Sequence, residues 1–302
     1  MARTPQTNVE DSPRAKVENP LKKWLPLVAL AGAQFIMVLD TTAMNVAVTS
    51  VVKSLDTTVA GVQGALVIYS LVMAAFMLTG GKLGDIWGHR RVYLLGFAGF
   101  TVGAALTAIA WSGPALIAIR IVGSLPGAAI GPASMALIMA AFPEGDRVKA
   151  MGWWSLVGAG APVIGLVAGG PIVEAIGWRW IFIAQVPLSL AALVMAMVVL
   201  RETPRREREP IDLAGAATLA LATVSALLAL SFGAALGWSS PVVLGLLVLS
   251  PISVWAFVRT ERRAAHPLLP LAFFRRPNFT PSLVAQFASN FAYMGGFIVT
   301  PL

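Results

Sequence analysis

Long apolar stretches separated by short polar and charged segments dominate this chain. A helix needs about 20 mostly apolar residues to cross the hydrocarbon core of a bilayer. Glycine and proline inside such stretches are compatible with membrane helices, because neighbouring helices satisfy the backbone groups that they free. The pattern predicts an all-α integral membrane protein with nine transmembrane helices, at residues 24–49, 59–80, 92–112, 114–141, 148–174, 180–200, 213–234, 241–258 and 278–302.

The basic residues indicate how these helices are oriented. If the N-terminus lies in the cytoplasm, 19 of the 22 lysines and arginines fall in cytoplasmic segments. Only Lys53 and Arg179 then lie in outer loops. Because cytoplasmic loops of membrane proteins are enriched in lysine and arginine, we predict a multi-pass protein with a cytoplasmic N-terminus.

The composition supports a membrane protein and excludes several kinds of site. Of the 302 residues, 57% are hydrophobic and only 12% are charged, against roughly 25% charged residues in soluble domains. The chain has no cysteine, and His89 and His266 lie far apart, so we expect neither a thiol nucleophile nor a metal centre. No cluster of catalytic side chains is evident, so no enzyme activity is expected. The net charge of +8 is spread over short loops, which favours contacts with anionic membrane lipid over binding of nucleic acid.

Charged and proline-rich segments divide the chain into six parts. A polar N-terminal tail is expected to be disordered in the cytoplasm, and a charged segment bounded by Pro204 and Pro210 separates the first six helices from the rest. The predicted parts are the tail at 1–23, a six-helix bundle at 24–200, a cytoplasmic linker at 201–212, an additional helix pair at 213–258, a basic cytoplasmic loop at 259–277, and the first helix of a second bundle at 278–302.

Two charged side chains fall well inside the predicted spans. At 1.5 Å per residue, Asp40 and Arg120 lie at similar depth in the outer half of the bilayer. An intramembrane charge is costly, so each is a candidate functional residue. They are expected to pair or to face the same water-filled cavity, either as a proton-coupling and substrate site or as a purely structural ion pair.

The helical neighbours of Asp40 suggest what it contacts. Ile36, Met37 and Met44 lie about one turn away on the same helix. Thioethers and an aliphatic group around a carboxylate suit a lipophilic cation, so these three residues are predicted to line a cavity. The apolar surroundings also favour a neutral carboxyl, which would let Asp40 exchange a proton for a cation.

Polar side chains form stripes on the first and ninth predicted helices. Each stripe could line a cavity or bond to a neighbouring helix, and the sequence favours neither. The candidates are Gln34, Thr41 and Asn45 on the first helix, and Gln286, Asn290 and Tyr293 on the ninth.

The segment between the second and third predicted helices, GKLGDIWGHRR at 81–91, carries a specific combination of residues. Its glycines allow a close helix approach and a turn, its aspartate can pair locally or cap a helix, and its arginines hold the loop in the cytoplasm. This segment resembles motif A of the major facilitator superfamily, in the loop where that family places it. The resemblance implies a cytoplasmic gating loop formed by Gly81, Asp85, Gly88, Arg90 and Arg91.

Three further segments resemble the drug:proton antiporter family with fourteen transmembrane helices. LDTTAMNVAV at 39–48 is similar to its first-helix signature, and the segment that begins at Arg120 is similar to motif B. The glycine-rich fifth helix resembles motif C, which is associated with exporters. This resemblance implies a helix-packing hinge at Gly158, Gly165, Gly169 and Gly170, where small residues allow helices to pack closely.

The resemblance implies alternating access between two six-helix bundles, driven by protons moving inward. The protein would export lipophilic, often cationic, drugs across a bacterial inner membrane. Asp40 would couple protons or bind the cation, and Arg120 would tune its protonation. The energy source would be the proton gradient, and no cofactor is expected.

Two alternatives stay open at this point. One is a transporter of the same fold with another metabolite as cargo, and the other is a truncated fragment that does not transport. With nine of fourteen helices, the chain is predicted to be the N-terminal portion of a transporter, with the missing C-terminal helices as its partners.

Overall fold

The computed structural model describes residues 20–204 and 212–299, with the side chains of residues 20–21, 234–235 and 293–299 left aside. Most of the predicted tail and residues 205–211 of the predicted linker therefore lie outside the described residues. Within them, the chain forms ten α-helices and one short 3-10 turn, Leu271–Arg275. The helices are α1 Pro20–Ser54, α2 Val59–Trp87, α3 His89–Ala108, α4 Gly113–Gly127, α5 Ile130–Ala141, α6 Glu144–Ile176, α7 Arg179–Val199, α8 Leu213–Leu236, α9 Pro241–Glu261 and α10 Phe279–Val299.

The predicted all-α membrane fold is confirmed. Within the described parts of the chain, eight segments are helical, long enough and apolar enough to cross a membrane, with α4 and α5 together forming one of them. They correspond to the first eight predicted spans. The ninth predicted span forms α10, whose side chains are described only as far as residue 292, so the count of eight does not extend to it.

The fourth predicted span is not one continuous helix. It ends as α4 at Gly127 and resumes as α5 at Ile130. Pro126 and Pro132 each lack the backbone N–H that an uninterrupted helix would use. The chain turns between them through a tighter bond from the Ala129 amide to the Pro126 carbonyl, 3.3 Å long.

The first six spans enclose two apolar clusters, one at each end of the bundle. The first lies near the α2–α3 and α5–α6 turns and includes Leu30, Phe97 and Ile138. The second lies near the α1–α2 and α6–α7 turns and includes Val51 and Trp178. We call the first end the basic end, because Lys22, Lys23, Arg90, Arg91, Arg147 and Arg201 lie there.

The packing of α1 corrects the prediction that apolar neighbours of Asp40 line a cavity. Ile36 and Met37 are buried in the first apolar cluster, and Met44 is buried in the second. Spacing along α1 correctly identified residues next to Asp40. It could not show that other helices cover them, so these three side chains belong to the packed interior.

Helices α8 and α9 form a hairpin, and α8 packs against α2. At the basic end of this hairpin, Glu261 holds the loop that follows α9. Its carboxylate oxygens accept hydrogen bonds from the amides of Leu268 and Leu269 at 3.1 and 3.2 Å. Glu261 and Lys82 of α2 are both buried. The additional helix pair therefore lies beside the same α2–α3 turn that carries the predicted gating loop.

Candidate functional site

A buried ion pair joins α1 to α4 between the two apolar clusters. The Arg120 guanidinium donates a hydrogen bond from Nη1 to Asp40 Oδ2 at 2.5 Å, and the two side chains are 4% and 1% exposed. The pairing expected from their similar depth is thus observed. The ion pair therefore links α1 to α4 between the two apolar clusters.

Two aromatic rings hold the Arg120 guanidinium from other helices. The ring of Tyr69 on α2 lies 5.2 Å from it, and the ring of Phe182 on α7 lies 5.1 Å from it. Both rings are buried, and buried cation–π contacts can contribute about 2 kcal/mol. Neither residue was among the predicted site residues, because an aromatic side chain in an apolar stretch gives no indication in the sequence of which residue it contacts.

The space beside the ion pair is small. It has room for about one water molecule, which is far less than a drug-sized ligand needs. In this conformation the space beside Asp40 therefore does not accommodate a lipophilic cation. The lining residues are Asp40, Tyr69, Phe100, Gly103, Ala104, Thr107, Ile119, Arg120 and Gly123.

Several polar atoms at this space have no hydrogen-bond partner among the described residues. They are Asp40 Oδ1, Arg120 Nε and Nη2, and the Tyr69 hydroxyl. Buried polar groups are nearly always hydrogen-bonded, to protein or to water. This combination of donors and an acceptor is suited to binding a water molecule and to transferring a proton between that water and the carboxylate.

The carbonyl of Ile36, one turn before Asp40, is held from α7. Gln185 is 2% exposed and donates from Nε2 to this carbonyl at 3.2 Å. Phe182 lies one turn before Gln185 on the same helix. Helix α7 therefore contacts both halves of the ion-pair region, the backbone of α1 and the guanidinium of Arg120.

The polar stripe of α1 does not point into either apolar cluster. Asn45 is exposed, whereas Gln34 and Thr41 are partly buried. Asn45 Nδ2 donates to the Thr41 carbonyl at 3.0 Å. This face of α1 is the part of the predicted cavity lining that the structure leaves accessible.

The predicted stripe on α10 is not brought to the ion pair. The side chains of Gln286 and Asn290 are exposed, and α10 mainly contacts the 3-10 turn that precedes it. The side chain of Tyr293 lies outside the described residues.

Three of the four predicted hinge glycines on α6 face α1. An added Cβ would lie 3.2 Å from Gln34 at Gly158, 2.9 Å from Thr42 at Gly165, and 3.8 Å from Val46 at Gly169. An added Cβ at Gly170 would meet nothing within 4 Å in the described part of the chain. Because it faces away from α1, Gly170 is not part of this packing surface.

The α2–α3 turn depends on Gly88, which has φ +97°. An L side chain is strained in this conformation. An added Cβ would also lie 2.6 Å from the Glu202 carboxylate. Gly81 is less tightly packed than its neighbour Gly80. An added Cβ at Gly81 would meet Pro132 at an ordinary contact distance of 3.4 Å, whereas an added Cβ at Gly80 would lie 2.6 Å from the Ala129 backbone.

The arginines of the predicted gating loop bind the last turn of α7 and the segment that follows it. Arg90 donates to the carbonyls of Leu200 and Met197 at 2.8 and 2.6 Å, and its backbone amide donates to Glu202 at 3.0 Å. Arg91 lies 3.9 Å from the same carboxylate and is largely exposed, so it contributes little energy.

Asp85 has a local partner in the same turn. It pairs with His89 at 3.3 Å, one helical turn further along the chain.

Substitution of Glu202 tests whether this connection stabilises the turn. In Glu202→Ala, we expect amide hydrogen exchange at Arg90 and Thr203 to accelerate about tenfold, because each amide loses a carboxylate acceptor. Glu144→Ala removes an exposed carboxylate at the same end and serves as the control. Equal exchange at Arg90 in Glu202→Ala and the parent protein would contradict the connection.

Comparison with known proteins shows the family of this chain. The family model described as "Major Facilitator Superfamily" matches residues 30–302. The chain is 33% identical to the "Tetracenomycin C resistance and export protein" of Streptomyces glaucescens, over 97% of this chain and 56% of that protein. It is 33% identical to the "Puromycin resistance protein pur8" of Streptomyces alboniger, over 89% of this chain and 54% of that protein.

Solved structures show the same fold. The POT family transporter PepTSo matches with a TM-score of 0.59 at 16% identity, over 85% of this chain and 57% of that one. This chain spans about half the length of the curated relatives it matches.

Proposed function

Since this chain belongs to the major facilitator superfamily, we propose that it forms the N-terminal part of a proton-coupled antiporter that exports drugs. Relatives named for resistance to or export of tetracenomycin C and for resistance to puromycin support a drug as cargo. The remaining helices of such a transporter would supply the second bundle. The proton gradient would supply the energy.

The observation that carries this proposal is the buried Asp40–Arg120 pair beside a space of about one water molecule. A site of that size admits water and protons and excludes a drug. Asp40 is therefore proposed as the proton-exchange residue, and Arg120 as the charge that competes with the proton for its carboxylate.

Protonation of Asp40 would weaken the ion pair that links α1 to α4. The carboxyl becomes neutral, and Arg120 is left as a buried charge without a counter-ion. Breaking a buried pair in this way costs about 3–5 kcal/mol, which corresponds to a shift of roughly 10²–10⁴-fold in a conformational equilibrium. A shift of about 10²-fold already carries an equilibrium from about 10:1 to about 1:10, so it changes which arrangement of the helices predominates.

The drug would bind elsewhere than at Asp40. The accessible face of α1, with Gln34, Thr41 and Asn45, is the proposed contact surface in the first half of the transporter. It lies on the same helix as Asp40, so movement of α1 would connect proton exchange to drug binding.

The basic end supports a proposal for the membrane orientation. Its lysines and arginines are proposed to face the cytoplasm of a bacterium and to contact anionic lipid of the inner membrane. Protons entering from outside would then reach Asp40 from the opposite end.

Accumulation of ethidium in cells tests the proposed function. The full reading frame that carries this chain would be expressed in a bacterium that lacks its own drug exporters. We expect lower ethidium accumulation and higher puromycin tolerance than with empty vector, and a protonophore should restore accumulation. Unchanged accumulation and tolerance would contradict drug export, and export that resists the protonophore would contradict proton coupling.

A further inference from the structure

The structure leaves one buried hydroxyl beside the ion pair without a hydrogen-bond partner. Tyr69 of α2 is 4% exposed, its ring lies 5.2 Å from the Arg120 guanidinium, and its hydroxyl has no partner among the described residues. In the same space, Oδ1 of Asp40 is also unpartnered. The two atoms are not hydrogen-bonded to each other, and the space between the lining residues holds about one water molecule.

The other hydroxyl that lines this space is already committed. Thr107 Oγ1 donates to the Gly103 carbonyl at 2.8 Å, so it can only accept. A tyrosine hydroxyl can both donate and accept. Of these two hydroxyls, Tyr69 alone has a hydrogen that is not engaged.

We propose that Tyr69 is a positioning residue for proton exchange at Asp40, acting through one bridging water and through its ring. When Asp40 is ionised, the hydroxyl donates through the water toward Oδ1. When Asp40 carries the proton, the same network accepts from the carboxyl. In both states the ring keeps the Arg120 guanidinium in place, which is needed most once Asp40 is neutral. The inference rests on the proposed role of Asp40 in proton coupling.

Few other groups can affect this exchange. From α4 the charged group that faces Asp40 is Arg120, and from α2 the titratable group is Tyr69. The residues that line the space from α3 are uncharged, as are Phe182 and Gln185 on α7. The residues of α6 that face α1 at Gln34, Thr42 and Val46 are glycines.

Two substitutions separate the hydroxyl from the ring. The protein encoded by the full reading frame would be reconstituted in vesicles. Ethidium transport driven by an imposed pH gradient would then be measured from pH 5 to 9. In Tyr69→Phe, loss of a donor to the ionised carboxyl should move the midpoint of the pH profile upward by about one unit. The KM for ethidium should stay unchanged. In Tyr69→Leu, which also removes the ring, the maximal rate should fall by about tenfold or more.

Tyr93→Phe is the matched control. Tyr93 is a buried tyrosine of α3 whose hydroxyl donates to the Ala29 carbonyl at 3.3 Å in the first apolar cluster. Its pH profile should match that of the parent protein.

The outcomes distinguish this inference from the proposed function. An unshifted profile in Tyr69→Phe overturns the role of Tyr69, and it leaves the proposed function standing if Asp40→Asn abolishes transport driven by the pH gradient. Equal profile shifts in Tyr69→Phe and Tyr93→Phe also overturn it, because any buried hydroxyl would then suffice. Persistence of gradient-driven transport in Asp40→Asn overturns the role of Asp40 in proton exchange and with it the role of Tyr69, while drug export itself would stand.

Discussion

Asp40→Asn is expected to abolish ethidium uptake driven by a pH gradient while leaving ethidium binding within about threefold of the parent protein. Asparagine has nearly the same shape as aspartate but cannot ionise or take up the proton. The binding affinity should survive because the space at Asp40 admits about one water molecule and no drug. The measurement is uptake in reconstituted vesicles together with an ethidium fluorescence titration.

Asp56→Asn is the matched control for this substitution. Asp56 is exposed in the turn after α1 and has φ +47°, a conformation that asparagine accepts readily. Asp40→Glu provides a second comparison, since it keeps an acid on α1 and should retain gradient-driven uptake at a lower rate. If Asp40→Asn lost ethidium binding while remaining folded, Asp40 would be a drug contact rather than a proton site.

Gly80→Ala should be among the most destabilising single-methyl changes in the bundle. An added Cβ would lie 2.6 Å from Cα and 2.8 Å from Cβ of Ala129, at the interruption between α4 and α5. Backbone atoms of a packed helix cannot yield as a flexible side chain can, so the cost should be about 1–3 kcal/mol or more. The thermal unfolding midpoint of the purified protein is the measurement.

Gly64→Ala places the same change on the same helix without the close contact. An added Cβ there meets nothing within 4 Å among the described residues. Since alanine favours a helix interior over glycine by about 0.5–1 kcal/mol, its unfolding midpoint should equal or exceed that of the parent protein. If Gly80→Ala and Gly64→Ala had the same thermal unfolding midpoint, the close approach of α2 to Ala129 would be wrong.

The sequence was most informative about the helices and the ion pair. Apolar length alone located eight spans, and depth along two helices brought Asp40 and Arg120 to the same level. Both inferences use only distance along one chain segment and the cost of buried charge. The prolines at 126 and 132 marked the place where α4 ends, although the prediction treated that span as continuous.

The rest depended on how helices pack against each other, which helical spacing does not contain. Met37 and Met44 are one turn from Asp40, yet neighbouring helices bury both in the core. Gly170 follows Gly169 directly, and only the latter faces α1. Tyr69 and Phe182 reach Arg120 from helices that are distant along the chain, with no charge or motif to reveal them.

Proton movement during downhill drug transport tests the central claim most directly. The protein encoded by the full reading frame would be reconstituted in vesicles that enclose a pH-sensitive dye. Ethidium would then be added outside the vesicles with no imposed pH gradient. As ethidium enters, an antiporter releases protons outward, so the interior should become alkaline with the parent protein and stay at its starting pH with Asp40→Asn. Ethidium entry without alkalinisation in the parent protein, or equal alkalinisation in Asp40→Asn, would contradict proton exchange at the Asp40–Arg120 pair.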